Sequence, residues 1–435
     1  MNLVIFTPAC FRSAIGCIAA LVTRELVALG CQVTVVRTES QHLLSTDIHD
    51  FGTRVLLWND EDSVSALVRH SDTCIYQIGN NFEFHEGGIR WLAEFPGLVC
   101  LHDFFLGHLF YDWAQNHRSQ AEIILQNWCG NENAGRSFSF SDFTSFLEST
   151  QDVMLMVEWV CSQSDSVIIH SQWGYERVLN SCPGPVRVVP LVYDISEGAN
   201  NPSSHQAADK ETLKLLTIGH VNPNKRVESV IEAIASNPLL RQRITYQLVG
   251  AIEPNVMESL SELAEQRGVK LIISGEVNIN ELNNSIATSD VVSCLRWPTL
   301  EAASASAIEA MLHGKMVIVT DHRFYSEIPD SCAFKIDHDN ELAELTSVLI
   351  SLLEDQSQIE AMGKAAQRWA TKTFTPKNYA QQVKETVLDT SRTKPAQNAI
   401  DYFTDTLQRW SFSDNPLLIT ELTSKLDIFE LGNKN

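Results

Sequence analysis

The chain has 435 residues, which at roughly 100–200 residues per domain points to two or three domains. Hydrophobic residues make up 44% and charged residues 20%, so a sizeable core can form and whole-chain disorder is excluded. The 32 basic and 54 acidic residues leave a formal charge of -22, which argues against binding a nucleic-acid backbone and against general attraction to anionic lipid.

In chain order, Asn2–Pro8 is an apolar run that reads as a strand, followed by an amphipathic helix over 15–29. Further strands are read at Gln32–Arg37, Arg54–Trp58, Thr73–Ile78, Leu98–Leu101, Ser166–His170 and Val186–Pro190. They lack polar–apolar alternation, so both faces should be buried, as in a parallel sheet covered by helices. Arg12 followed by SAIGCIAALV loosely imitates a secretory leader, but the strand before it and Arg24-Glu25 after it favour a cytoplasmic strand–loop–helix start. The inner face of the membrane is the second expected location. No run of about 18 apolar residues occurs, so no spanning helix is expected. Ten cysteines are scattered without a CxxC pair, which reads as buried free thiols in a reducing compartment.

The segment 105–160 is long, aromatic and helical by pattern, an insertion in the first half. It could contact a substrate or form a packed helical cap. Asp194–Thr212 is polar and rich in Pro, Gly, Asn and Ser, and reads as a linker. The βα rhythm then restarts, with strands at Leu213–Ile218, Ile244–Val249, Lys270–Ser274, Val291–Leu295 and Met316–Thr320. Helices are expected near 226–236, 256–266, 279–288, 303–313 and 355–371. The expected organisation is an N-terminal domain over 1–191, a linker over 192–212 and a C-terminal domain over 213–373. A helix over 374–390 crosses back to the first domain, and a helical extension covers 391–435. That extension holds two amphipathic stretches, which could dock on the body or on a protein partner.

Two sequence features carry chemistry. Gly219-His220-Val221-Asn222-Pro223-Asn224-Lys225 lies between a strand and a helix. Glycine at a strand end permits a tight turn and close approach of a ligand, and a helix N-terminus favours an anion. With Lys225 added, this reads as a diphosphate clamp, or else as an ordinary βα turn with a surface lysine. The second feature is Arg296-Trp297-Pro298-Thr299-Leu300-Glu301, a small-residue stretch, then Glu309 and Gly314. A carboxylate among small apolar residues is costly without a partner. It can accept both hydroxyls of a ribose diol, or instead a salt bridge. Asp60-Glu61-Asp62 and Asp337-His338-Asp339 both match a D-x-D metal motif, but first-turn acids at helix N-termini explain them more simply.

The order Gly219…Lys225, Gly250, Gly275-Glu276-Val277, Glu301-x7-Glu309 and Gly314 resembles the retaining glycosyltransferases of the GT-B fold, the large family 4 group. Leu101-His102-Asp103-Phe104-Phe105, His170-Ser171-Gln172-Trp173 and Val189-Pro190 fall at stations similar to those of that family. The likeness is strongest over 213–330 and absent from the tail. It implies an α/β GT-B architecture, two Rossmann-like doubly wound domains facing a central cleft. It also implies a hexosyltransferase-type enzyme moving sugar from a UDP- or GDP-linked donor to a hydroxyl of a glycan or lipid-linked acceptor. It implies further that configuration is retained, that no metal or other cofactor is needed, and that the setting is polysaccharide, lipopolysaccharide or glycolipid synthesis.

By position, the resemblance makes Glu309 the ribose carboxylate, Glu301 a reader of sugar hydroxyls, Lys225 the diphosphate cation and His102 a group near the reacting sugar. Gly16 lies in the loop after the first strand, which in that family faces donor and acceptor. His220 stands where the family often has Arg, and Arg296 is a candidate for the missing positive charge. Ala302-Ala303-Ser304 replaces the usual Gly-Phe-Gly, leaving backbone N–H groups to serve the donor. These departures motivate one alternative, a non-catalytic GT-B-fold partner subunit; a nucleotide-sugar epimerase, which uses a similar two-domain architecture, is a second. Peripheral membrane contact, and a protein partner at 105–160 or 391–435, are further expectations.

Overall fold

The computed structural model describes residues 1–137, 143–151, 153–194 and 211–409. Most of the expected linker (195–210) and the second amphipathic stretch of the tail (410–435) therefore lie outside the described residues. The chain divides into two units, one formed by Met1–Pro190 with the chain from Pro376 onward, the other by Leu191–Thr375.

The first unit holds a seven-stranded sheet. Its strands are β1 (Asn2–Thr7), β2 (Gln32–Arg37), β3 (Val55–Leu57), β4 (Thr73–Ile78), β5 (Leu98–Leu101), β6 (Ser166–Ile169) and β7 (Val186–Val188). The spatial order is β3-β2-β1-β4-β5-β6-β7, every pair parallel. The absence of alternation is explained directly, since Leu3 to Thr7 and Leu98 to Leu101 are buried on both faces. Helix Pro376–Arg409 packs on helix Ala14–Ala28 and against β5 and β6. Its anchors are polar as well as apolar: Thr390 Oγ1 donates to Ser166 Oγ at 2.7 Å, and Arg187 pairs with Glu385 and Asp389. The segment 105–160 supplies helices Gly107–Asn116, Arg118–Ser137, Phe143–Thr150 and Val157–Ser162. Trp113 and Trp159 pack at 4.5 Å between ring centres within it.

The second unit repeats this plan with six strands. They are β8 (Leu213–Ile218), β9 (Ile244–Val249), β10 (Lys270–Ile273), β11 (Val291–Cys294), β12 (Met316–Thr320) and β13 (Ala333–Ile336). The order is β10-β9-β8-β11-β12-β13, again all parallel. Both units are thus Rossmann-like, each with its order reversing beside its first strand. Helix Val227–Ala235 turns Val230, Ile231 and Ile234 toward Leu345, Leu349 and Leu352 of helix Glu341–Glu354 in one apolar core. Each such side chain contributes about 1.5–3 kcal/mol by burial. Strand β13 and helix Glu341–Glu354 were not anticipated, and the helix expected over 355–371 is observed as Ser357–Thr373.

All ten cysteines are free; eight are buried, Cys129 is half-buried and Cys17 is exposed. Among the described residues no helix is long and apolar enough to cross a membrane.

Candidate functional site

In the second unit β8 and β11 are neighbours although they are not consecutive in the chain. The carboxyl ends of such a pair are where doubly wound sheets open a crevice. Gly219 follows β8 in a left-handed conformation (φ 86°). Its N–H donates to Val249 O at 2.8 Å, while Gly250 N donates to Gly275 O at 2.8 Å, lacing the ends of β8, β9 and β10 together. A Cβ at Gly250 would fall 2.3 Å from Gly219 O, so this lacing requires glycine there.

Lys225 closes the turn Pro223–Lys225 and folds beneath it, 6% exposed, with Nζ donating to the Ile218 carbonyl. Burial lowers its pKa to about 7, Arg296 adds to the shift, and Cys294 and Glu301 oppose it. Arg296 leaves the end of β11 with its backbone N–H on Thr320 Oγ1 at 3.0 Å. Its Nε donates to Glu301 Oε1 at 3.0 Å. Tyr325 Oη donates to the same oxygen at 2.7 Å, and Leu300 N–H reaches Glu301 Oε2 at 3.2 Å. Burial alone would lower the Arg296 pKa, but Tyr325 and Glu301 carry it above the usual value. The Glu301 carboxylate is therefore held by three protein donors before any ligand arrives, and the Arg296 charge is shared with it.

Ser304 caps helix Ala305–Leu312, its Oγ accepting from Ala307 N at 3.3 Å. Small residues let this helix pack closely, which is why Glu309 within it is only 9% exposed. Burial raises the Glu309 pKa, and a hydrogen bond with Tyr193 opposes the rise. His220 is exposed in the turn after Gly219. Gly219, His220 and Lys225 thus follow β8, Arg296 and Glu301 follow β11, and Ser304 and Glu309 cap and belong to the helix after β11, so all seven lie in the connections that leave these two neighbouring strands. Tyr193 and Tyr325 are the residues missed by sequence reasoning. Each is remote in the chain from the carboxylate it touches, and no local motif marks either.

Gly16 and His102 lie in the first unit. His102 follows the end of β5, whereas Gly16, expected in the loop after β1, belongs to the first turn of helix Ala14–Ala28, because Ser13 caps the helix just ahead of it. A Cβ at Gly16 would meet Pro8 O at 2.6 Å, so the loop after β1 closes tightly on the helix start. His102 follows β5 and is 8% exposed, with Nε2 2.7 Å from Gln77 Oε1. Its ring lies 4.9 Å from that of His170. Burial holds His102 well below its ordinary pKa, with His170 and His85 adding to the shift. Burial also takes His85 to about 3 and His170 to about 4. All three rings are neutral at neutral pH, so His102 can orient or accept but carries no charge.

Both D-x-D stretches serve local structure. Asp60 caps helix Glu61–Arg69 through Ser63 N at 3.3 Å, and Asp337 accepts from Asp339 N at 3.0 Å. Among the described residues no group of three or more His, Cys, Asp or Glu side chains is arranged to hold a metal ion.

Residues 201–369 match the family model described as glycosyl transferases group 1. No curated protein matches the sequence. Among solved structures, the chain is similar to Anabaena HepE in complex with UDP, at 16% identity and TM-score 0.61, covering 89% of this chain and 99% of that one. It is also similar to the sucrose-phosphate synthase of Thermosynechococcus elongatus, at 14% identity and TM-score 0.60, covering 88% and 98%. WaaG, a glycosyltransferase involved in lipopolysaccharide biosynthesis, aligns at 16% identity and TM-score 0.55, covering 87% and 98%. At these identities the likeness establishes the fold, that of the GT-B glycosyltransferases.

Proposed function

We propose that the chain, whose second unit matches the group 1 glycosyl transferases, moves a sugar from a nucleoside-diphosphate donor to a hydroxyl acceptor with retention of configuration. The observation that carries the reading is the gathering of Lys225, Arg296, Ser304 and Glu309 at the switch point between β8 and β11. In this reading the ribose hydroxyls bond to Glu309. The diphosphate meets Lys225 and the N–H groups at the start of helix Ala305–Leu312, where the helix dipole favours negative charge. As the glycosidic bond to phosphate breaks, these groups stabilise the charge growing on the leaving oxygen, an electrostatic contribution already in place before reaction. The anomeric carbon gains oxocarbenium character. The leaving phosphate takes the acceptor proton on the same face, so no protein carboxylate is needed as base and no divalent metal is required. UDP is the first nucleotide to test, since HepE is described with UDP and with UDP-glucose. The reading extends to hexosyl transfer onto glycan or lipid-linked acceptors in polysaccharide, lipopolysaccharide or glycolipid synthesis, in the cytoplasm or at the inner membrane face.

One observation favours a second reading, a nucleotide-binding subunit without turnover: Glu301 already accepts from Arg296, Tyr325 and Leu300. A thermal-shift series with UDP, GDP, ADP and CMP, in the presence of EDTA, tests the first step. At about a hundred times its dissociation constant a ligand adds roughly 2.7 kcal/mol to the folded state. One nucleotide should raise the melting temperature, and Glu309→Ala should abolish the rise while leaving the unliganded melt in place. No rise with any nucleotide would end the transferase reading. Binding without release of UDP from UDP-glucose in the presence of acceptors would favour the second.

A further inference from the structure

The loop after β1 carries a feature that the donor site does not use. Phe11 is 68% exposed, and its ring stacks on that of His49 at 5.0 Å and 28°. The two rings form a ledge at the strand ends of the first sheet, beside Gly16, whose Cβ would lie 3.1 Å from His49 Cδ2.

This ledge is rigidly built. The buried Glu39 carboxylate accepts from Ala9 N at 2.8 Å and Cys10 N at 2.6 Å, and pairs with Arg37 at 3.2 Å. The Arg37 guanidinium also donates to the Leu43 and Leu44 carbonyls, each at 2.9 Å, which ties the loop after β2 to the loop after β1. Phe11 N donates to Asp47 O at 2.9 Å, and Cys10 bridges antiparallel to Ile48. His49 Nε2 lies 3.0 Å from the Ser13 carbonyl, to which it donates. Burial lowers the His49 pKa, the bond to Ser13 opposes the shift and Arg24 reinforces it, so the ring is neutral.

The same bonds occupy most of the N–H groups that an anion at this loop would use. The N–H groups of Ala9 and Cys10 are spent on Glu39, that of Phe11 on Asp47, that of Ser13 on Cys10 and that of Gly16 on Ser13 Oγ at 3.0 Å. A phosphate cradle needs such groups free. What the loop offers instead is an apolar ring face in water, backed by a second uncharged ring. That surface suits the C–H face of a pyranose, which is apolar on its face and polar at its rim.

We propose that Phe11 and His49 form a stacking subsite for the acceptor, and that the acceptor sugar seated there is uncharged. This rests on the transferase reading for the word acceptor, but not for the binding itself. The test is saturation-transfer NMR on the full chain with maltose, cellobiose and lactose as uncharged probes and glucose 6-phosphate as the charged one. At least one disaccharide should receive saturation at its ring C–H protons. Phe11→Ala should remove the transfer and Phe11→Tyr should keep it, and the exposure of Phe11 makes both substitutions compatible with folding. Glucose 6-phosphate should receive none. Absence of transfer to all three disaccharides, or transfer that survives Phe11→Ala, would overturn the proposal. So would binding of glucose 6-phosphate that Arg12→Ala abolishes. The UDP melting shift, measured on the same samples, separates the two readings. Disaccharide bound at Phe11 with no nucleotide bound leaves the ledge standing and the transferase reading fallen; the reverse result leaves the donor site and removes the ledge.

Discussion

Lys225 lies beneath the turn it closes, and its burial brings its titration to about pH 7. The folded pKa is below the ordinary value of 10.5, so between about 7 and 10.5 the unfolded chain binds the extra proton and stability rises with pH. Ligand binding has the opposite sign, because a diphosphate needs the ammonium form. UDP affinity should therefore fall as pH rises from 7 to 9, a window above the phosphate's own titration near pH 6. In Lys225→Gln the affinity should be at least about tenfold lower, as expected for loss of a hydrogen bond to a charged group, and flat across that window. Titration calorimetry at several pH values reads both. The position of Lys225 in the turn after β8 and of Glu309 in the helix after β11 was legible in the sequence. The hold on Glu301 was not, because Arg296 reads equally as a free cation and Tyr325 joins only through the return of the chain from β12.

At the scale of elements, the turn and the helix that carry the site depend on backbone chemistry more than on charge. Ser304 satisfies an N–H at the start of helix Ala305–Leu312, and Ser304→Ala should cost about 1 kcal/mol of stability. Gly250→Ala should be far more damaging, since its φ of 142° and the Gly219 carbonyl 2.3 Å from the new Cβ both oppose a side chain. Chemical denaturation of the two variants should show a modest shift for the first and a large one, with loss of UDP binding, for the second. Strand β13 escaped sequence reading because AFKI is short and lies at the sheet edge, half-buried over Phe334 and Lys335. Helix Glu341–Glu354 escaped with it, although its apolar stripe completes the core against helix Val227–Ala235.

For the molecule as a whole, acid is the expected weakness. His85, His102 and His170 are neutral in the fold, with pKa values lowered by burial, to about 3 for His85 and about 4 for His170. Their unfolded value is about 6.5, so from pH 6.5 down to about 4 the unfolded chain takes up protons that the folded chain does not. Stability falls over that window by up to about 1.4 kcal/mol per pH unit for each ring. Melting temperatures between pH 7.5 and 5 should drop, and the slope should be shallower in His170→Gln. An unchanged slope would mean that another group controls acid stability.

The sequence by itself determined the alternation of elements, the burial of both sheet faces and the concentration of candidate site residues between Gly219 and Gly314. These follow from local periodicity and from glycine and carboxylate placement, which act over a few residues. Only the tertiary structure decided which polar atoms remain available to a substrate. Glu301 is held by Arg296 and Tyr325, Glu309 bonds to Tyr193, and the N–H groups of Ala9 and Cys10 are spent on Glu39. Hydrogen-bond capacity is spent in space, between residues that packing brings together, and no spacing along the chain records where it goes.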